Sequence, residues 1–170
     1  MPTPSVTTLP SPPVAPTTNG FTSRHARLND AAAIADLVNA WAARGLTLAR
    51  TPGEVAESIQ QFVVVEDEQG LAACGALVEW PPKVAEIRSV AVADHQQGKG
   101  AGRAVVSALV AKARDDGLET LVLLTKCPDF FAKQGFEIID GSELPAHYVQ
   151  AAIIDCGRTL EGRTAMRMKL

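Results

Sequence analysis

No apolar run in the chain approaches the roughly 20 residues that a membrane-spanning helix needs, so no spanning helix is expected. No basic start leads into an apolar block at the N-terminus, and a secretory leader is not expected either. Cysteine is scarce. Cys74, Cys127 and Cys156 are odd in number, far apart and outside any C-x-x-C pair. That argues against a disulfide framework and against a zinc site, so no metal is expected and a reducing, cytoplasmic setting is. Basic charge is short as well. Sixteen Lys and Arg against 19 Asp and Glu give a formal net charge of -3 and a pI near 5.6. A dedicated nucleic-acid binder would carry a basic domain. The P-loop pattern G-x-x-x-x-G-K-[ST] is missing. Aromatics make up 5% of residues, with Tyr148 the one tyrosine.

What is present suits one folded domain. The 170 residues are 46% hydrophobic, enough for a core, and only 21% charged. Residues 1–20 are Pro, Ser and Thr with scattered small apolar residues and no periodicity, which reads as a flexible tail before a domain over 21–170.

"SRHARLND" reads as a short strand ending at a cap, with Asn29 or Asp30 placed to start a helix. Ile34, Leu37, Val38 and Trp41 then mark one buried helical face. Thr51, Pro52 and Glu54 form a second helix start with a capping box. "FVVVE", the turn "DEQG" and "LAACGALVEW" predict a hairpin, broken by Pro81 and Pro82. "AEIRSVAV" predicts a strand, residues 100–116 a helix, "ETLVLLT" a buried strand and "PDFFAKQ" a short helix. "FEII" is a further strand, and "AMRMKL" reads as an edge strand. This order predicts a mixed α/β domain, not a clean βαβ repeat.

"DHQQGKGAGRAVV", residues 94–106, sets three glycines within five positions at the mouth of a helix. Unpaired amides and the helix dipole make such a mouth a phosphate site, and Lys99 and Arg103 add charge there. The spacing is not the dinucleotide fingerprint G-x-G-x-x-G. It is Q-x-x-G-x-G, as "QGKGAG" over residues 97–102.

That pattern after "IRSVAV", followed by "FFAKQGF", resembles the acyl-CoA loop and the F-[YF]-x-x-x-G-F signature of the GNAT acetyltransferase superfamily. The resemblance implies an α+β (mixed α/β) fold. Its central, mostly antiparallel sheet would be splayed between the fourth and fifth strands, with helices on both faces. It implies acetyl-CoA as cosubstrate, its pyrophosphate on Gln97, Gly98, Lys99, Gly100, Ala101, Gly102 and Arg103. The pantetheine arm would pair along Val90, Ala91 and Val92, beside Phe130 and Phe131. A direct amine attack on the thioester, without an acyl-enzyme, is implied too.

"GLTLARTPGEVAESIQQFVVVEDEQGLAACGALVEW" further resembles the acceptor half of short, single-domain bacterial N-acetylglutamate synthases. The likeness runs over about residues 22–140 and fades beyond them. It implies acetylation of the α-amine of L-glutamate, the entry to arginine biosynthesis. Glutamate carries two carboxylates, and guanidinium groups hold carboxylates bidentately. Arg50 matches the arginine of the family's R-[ST] element, and Arg163 loosely matches a C-terminal R-x-S. Thr125 and Lys126 are further acceptor-site candidates, Lys126 also being readable as a solvated lysine. Arg88 either meets Glu86, two residues away on the same face, or meets substrate. Glu86 is the candidate general base, with a structural partnership to Arg88 as the other reading. Where many members of the superfamily place a tyrosine to protonate the leaving thiolate, this chain has Phe131.

Two other functions stay open. One is acetylation of another small amine or a protein N-terminus. The other is a non-catalytic acyl-CoA-binding sensor. The expected partner is a small amino-acid substrate, with no nucleic acid and no membrane, and a homodimer is open because members of the superfamily are often dimers.

Overall fold

The computed structural model describes residues 17–170. The tail reading therefore lies outside the described residues up to residue 16. Thr17–Thr18 forms a two-residue strand. The longer strands are β1 (Phe21–His25), β2 (Phe62–Asp67), β3 (Gly70–Trp80), β4 (Val84–Val92), β5 (Thr120–Thr125), β6 (Glu137–Ile139) and β7 (Thr164–Lys169). The helices are α1 (Ala31–Ala42), α2 (Pro52–Glu57), α3 (Ala101–Asp115), α4 (Pro128–Ala132) and α5 (Ala146–Tyr148), the last continuing as a π turn over Val149–Ile154.

From Thr17–Thr18 the sheet runs β1–β2–β3–β4–β5–β7–β6. All neighbours are antiparallel except β4 and β5. The expected edge strand "AMRMKL" is a correction. As β7 it lies between β5 and β6, and the three-residue β6 forms the edge. Its apolar residues explain this, since Ala165 and Met166 are buried against the sheet.

Alternation along the strands sorts the core onto two faces. Val63 and Val65 of β2, Leu77 of β3 and Leu121 and Leu123 of β5 face α3, whose Val105, Val106, Leu109, Val110 and Ala113 are buried against them. Phe62 and Val64 face the other way, onto Ile34 and Val38 of α1 and Val55 of α2. A third, smaller core on that second face packs Tyr148, Ala152 and Ile153 of the α5 segment onto Val84, Val122 and Ala165. The helix starts differ. Thr51 accepts from the Glu54 amide and Glu54 answers on the Thr51 amide, as the capping box requires. Asp30 does not cap α1; its carboxylate takes the Arg27 amide and the Arg24 guanidinium.

Candidate active site

β4 and β5 pair in parallel only at Val84–Thr120, Ala85–Leu121 and Glu86–Val122. Beyond Glu86 the two strands part. A bulge helps them separate: Ser89 and Val90 together oppose Gly75 of β3, and Ser89 sits at φ +55°. A non-glycine residue in that region is strained by about 1 kcal/mol or more. The gap opens into a cleft of about 620 Å3.

At the mouth of the gap α3 begins. Gly98 and Gly100 take φ of +75° and +97°, which a side chain at either position would oppose. Gly100 is the residue before the first turn. The amides of Gln97 and Lys99 donate weakly, at 3.4 Å, to the carbonyls of Asp94 and Gln96. Among the described residues, no carbonyl accepts from the amides of Gly98, Gly100, Ala101, Gly102 or Arg103. A Cβ on Gly100 would find only Asn19 Nδ2 at 3.8 Å, so the space before these amides is open. Lys99 and Arg103 are exposed beside them. Open amides at the positive end of a 15-residue helix, flanked by cations, fit a diphosphate. The loop is also tied down. Gln96 is buried and its amide donates to the Asp67 carboxylate at the end of β2, and Arg44 and Gln97 both reach Asp94.

On the cleft wall Trp41 Nε1 donates to the Val92 carbonyl at 2.8 Å, so that carbonyl is taken. Phe130 and Phe131 stand edge to face, with centroids 4.9 Å apart, and both line the cleft. Deeper in, charge gathers on the second sheet face. Glu86 is 1% exposed. Arg158 grips it bidentately, Nη2 to Oε1 at 2.7 Å and Nη1 to Oε2 at 3.1 Å. Arg88 Nε stands 3.1 Å from Oε1, and its guanidinium lies 5.7 Å from the Trp80 ring centroid. Burial pulls the Arg158 pKa down, but the hydrogen bonds and charge of Glu86 outweigh it and hold it above the ordinary value. Arg50 is different. Its Nε is buried with no partner among the described residues. Burial, then the Arg88 charge, lowers its pKa. Two guanidiniums thus hold the one carboxylate buried in the cleft, and the third, Arg50, is not paired with it.

The structure brings together Arg50, Glu86, Arg88, Val90, Val92, Thr125, Lys126, Phe130, Phe131 and Arg163, all of which line the cleft. Gln97 to Arg103 do not line it; they lie at the start of α3, where a Cβ on Gly102 would stand 3.1 Å from Phe130 and 3.3 Å from Val92, both of the cleft wall. Ala91 does not line it; its side chain is buried against α1 and α2. Arg88 does meet Glu86. Arg158 is the functional candidate that sequence reasoning missed. It follows Gly157 in a loop with no helical or strand pattern, and its partner lies 72 residues away. Tyr148, the one tyrosine, is fully buried, edge to face with Trp80 at 6.1 Å, and its hydroxyl has no partner among the described residues. Burial, then the Glu86 charge, raises its pKa. No cluster of three or more His, Cys, Asp or Glu is placed to hold a metal among the described residues.

Open amides at a helix start, beside a wedge between two parallel strands, suit an acyl-CoA-dependent transferase. The chain belongs to the acetyltransferase (GNAT) family, which matches it over residues 31–136, and it is an N-acetyltransferase. Its relatives narrow the class. An amino-acid acetyltransferase of Mycobacterium tuberculosis is 37% identical over 126 residues, 72% of each chain. The crystal structure of Rv2747 from Mycobacterium tuberculosis, in complex with CoA, superimposes with a TM-score of 0.78 at 30% identity, over 88% of this chain and 99% of that one. N-acetylglutamate synthase from Neisseria gonorrhoeae, complexed with coenzyme A and N-acetyl-glutamate, gives a TM-score of 0.78 at 26% identity, over 88% of this chain and 35% of the longer one.

Proposed function

We propose that the protein transfers the acetyl group of acetyl-CoA to the α-amine of L-glutamate, the first step of arginine biosynthesis, in the cytoplasm. One observation carries the choice of acceptor: Arg50, Arg88 and Arg158 converge on a cleft whose one buried carboxylate is Glu86. That leaves a surplus of half-buried positive charge, and the unpartnered Arg50 Nε awaits an acceptor atom. A dicarboxylate supplies it and a polyamine does not. The family resemblance and the named relatives support the same reading.

The domain over 21–170 would divide the work as follows. The amides from Gly98 to Arg103 hold the pyrophosphate, with Lys99 and Arg103 supplying charge. The pantetheine arm pairs with the Val90 backbone and the Val92 amide, since Trp41 holds the Val92 carbonyl. Phe130 and Phe131 wall it in. Arg50, Arg88 and Arg158 face the acceptor carboxylates, with Thr125, Lys126 and Arg163 around the rim. The amine nitrogen bonds the acetyl carbon, the carbon–sulfur bond breaks and the thiolate leaves with the electron pair. Glu86 takes the proton that the ammonium must lose. Phe131 has no hydroxyl to offer the thiolate, which leaves to solvent.

A thiol-release assay with glutamate, aspartate, glutamine and spermidine tests this. Glutamate is expected to give the highest kcat/KM. Turnover of spermidine with none of glutamate would refute the reading, and CoA binding without thiol release from any amine would mark a sensor. Arg50→Ala is expected to raise the glutamate KM about 10- to 100-fold, the worth of a charged hydrogen bond, with the acetyl-CoA KM little changed.

A further inference from the structure

The Glu86 carboxylate poses a problem for its own chemistry. Both oxygens are engaged by Arg158 and one of them again by Arg88. A base held so keeps one lone pair, on Oε2, outside the grip of the two guanidiniums. Yet the group holding it most closely comes from a loop, where its Nη1 also donates to the Ala152 carbonyl at 3.2 Å. Arg158 lies between Ile154 and Thr164, in a stretch of turns with left-handed glycines at 157 and 162. Arg88, by contrast, is on a central strand with its guanidinium over Trp80.

We propose that Arg158 is an exchangeable clamp: the acceptor's side-chain carboxylate draws its guanidinium off Glu86, and only then is Glu86 free to take the proton from the α-ammonium. This rests on the dicarboxylate reading above. On the fork one carboxylate replaces another, and at Glu86 the acceptor's α-ammonium takes the place of the guanidinium. Arg88 stays on Glu86 and keeps it anionic until the proton arrives. On transfer, the N–H electron pair becomes the nucleophile's lone pair and Glu86 becomes a neutral acid, which solvent later deprotonates. The clamp therefore makes the side-chain carboxylate a condition for turnover as well as for binding. An acceptor without it leaves the base shut.

The charged and titratable groups that act on Glu86 are Arg88 on its own strand, Arg50 from the loop before α2, Tyr148 from α5 and Arg158 itself. Glu86→Gln is expected to lower the glutamate kcat by about 100-fold or more, as loss of a positioned base would.

Two measurements decide the matter. The first is kcat at saturating glutamate and glutamine, which differ by one charged oxygen. The wild type is expected to favour glutamate in kcat by about tenfold or more, a modest fraction of what a positioned base contributes. In Arg158→Gln that kcat ratio is expected to fall toward one, because Glu86 is open for both acceptors, while the glutamate KM rises. Arg158→Lys, which keeps the charge without the fork, should fall between. An unchanged kcat ratio in Arg158→Gln, or wild-type discrimination in KM alone, overturns the clamp. The second measurement needs no variant: a crystal structure of the wild type with CoA and L-glutamate. Arg158 on the acceptor carboxylate and away from Glu86 is expected. An intact bidentate Arg158–Glu86 pair beside bound glutamate overturns the inference even if glutamate is the acceptor. Absence of turnover with any dicarboxylate would instead remove the acceptor assignment beneath it.

Discussion

Cys74 is buried inside the sheet with its thiol turned to the Ser89 carbonyl, and desolvation pushes its pKa up to about 12. Cys127 and Cys156 are exposed and line the cleft. Iodoacetamide at pH 8 is therefore expected to label Cys127 and Cys156 and to spare Cys74 in the native protein, counted by intact mass. Saturating acetyl-CoA should slow the labelling at the cleft. Charge behaves by the same local logic at Asp30. Hydrogen bonds from Arg24 hold its carboxyl below the ordinary range against the pull of burial. A depressed folded-state pKa contributes stability that is complete above the unfolded value, near 4, and is lost as pH falls through the folded one. Asp30→Asn is expected to lower stability by about 1 kcal/mol at pH 7, and the gap to wild type should close in urea melts below about pH 4.

Helix α3 shows how closely an element can be fitted. A Cβ on Gly75 would stand 2.7 Å from Leu109 Cδ1 and 3.4 Å from Val105 Cγ2. Gly75→Ala must displace the fully buried Leu109 side chain, and a cost of about 1–3 kcal/mol in denaturant unfolding is expected. Adding Leu109→Ala should cost less than the sum of the two single changes, because the pair share one space. Legibility in the sequence also varies by element. α1, α2 and α3 were plain, since an apolar stripe of helical period or a capping box announces itself locally. The hairpin of β2 and β3 was plain for its β-branched run and its turn. The α5 segment was not. "AHYVQAAII" has no cap at its start and forms a single short turn followed by a π turn, held by packing onto the sheet and not by propensity. The place of β7 was misjudged because register and neighbour are set by tertiary pairing, which no window of ten residues contains.

For the molecule as a whole, the residues of the proposed phosphate-binding half were readable and those of the proposed acceptor half only in part. Gly98 to Arg103 are contiguous, so their chemistry sits in one stretch of sequence. The acceptor groups come from a loop before α2, from β4 and from the loop before β7, and only folding unites them. Arg88 stood out as an arginine in an apolar strand and Arg50 through the R-[ST] resemblance, whereas Arg158 stood in a polar loop and gave no such sign. The splay between β4 and β5 also leaves a measurable trace. Backbone amides over 87–92 that face the gap lack a β5 partner, so hydrogen exchange there is expected to be faster than over 84–86 and to slow markedly when CoA is added. Unchanged exchange in this stretch at saturating CoA would place the pantetheine elsewhere. The position of β7 reaches further, into synthesis itself. β6 joins the sheet only through β7, which is made about 25 residues later. A growing polypeptide can zip β1 to β5 as they emerge from the ribosome, but "FEII" must wait, unpartnered, until residues 164–169 have cleared the exit tunnel. The same chain end then closes the acceptor wall with Arg158, so a stalled or clipped product is expected to be sticky as well as inactive.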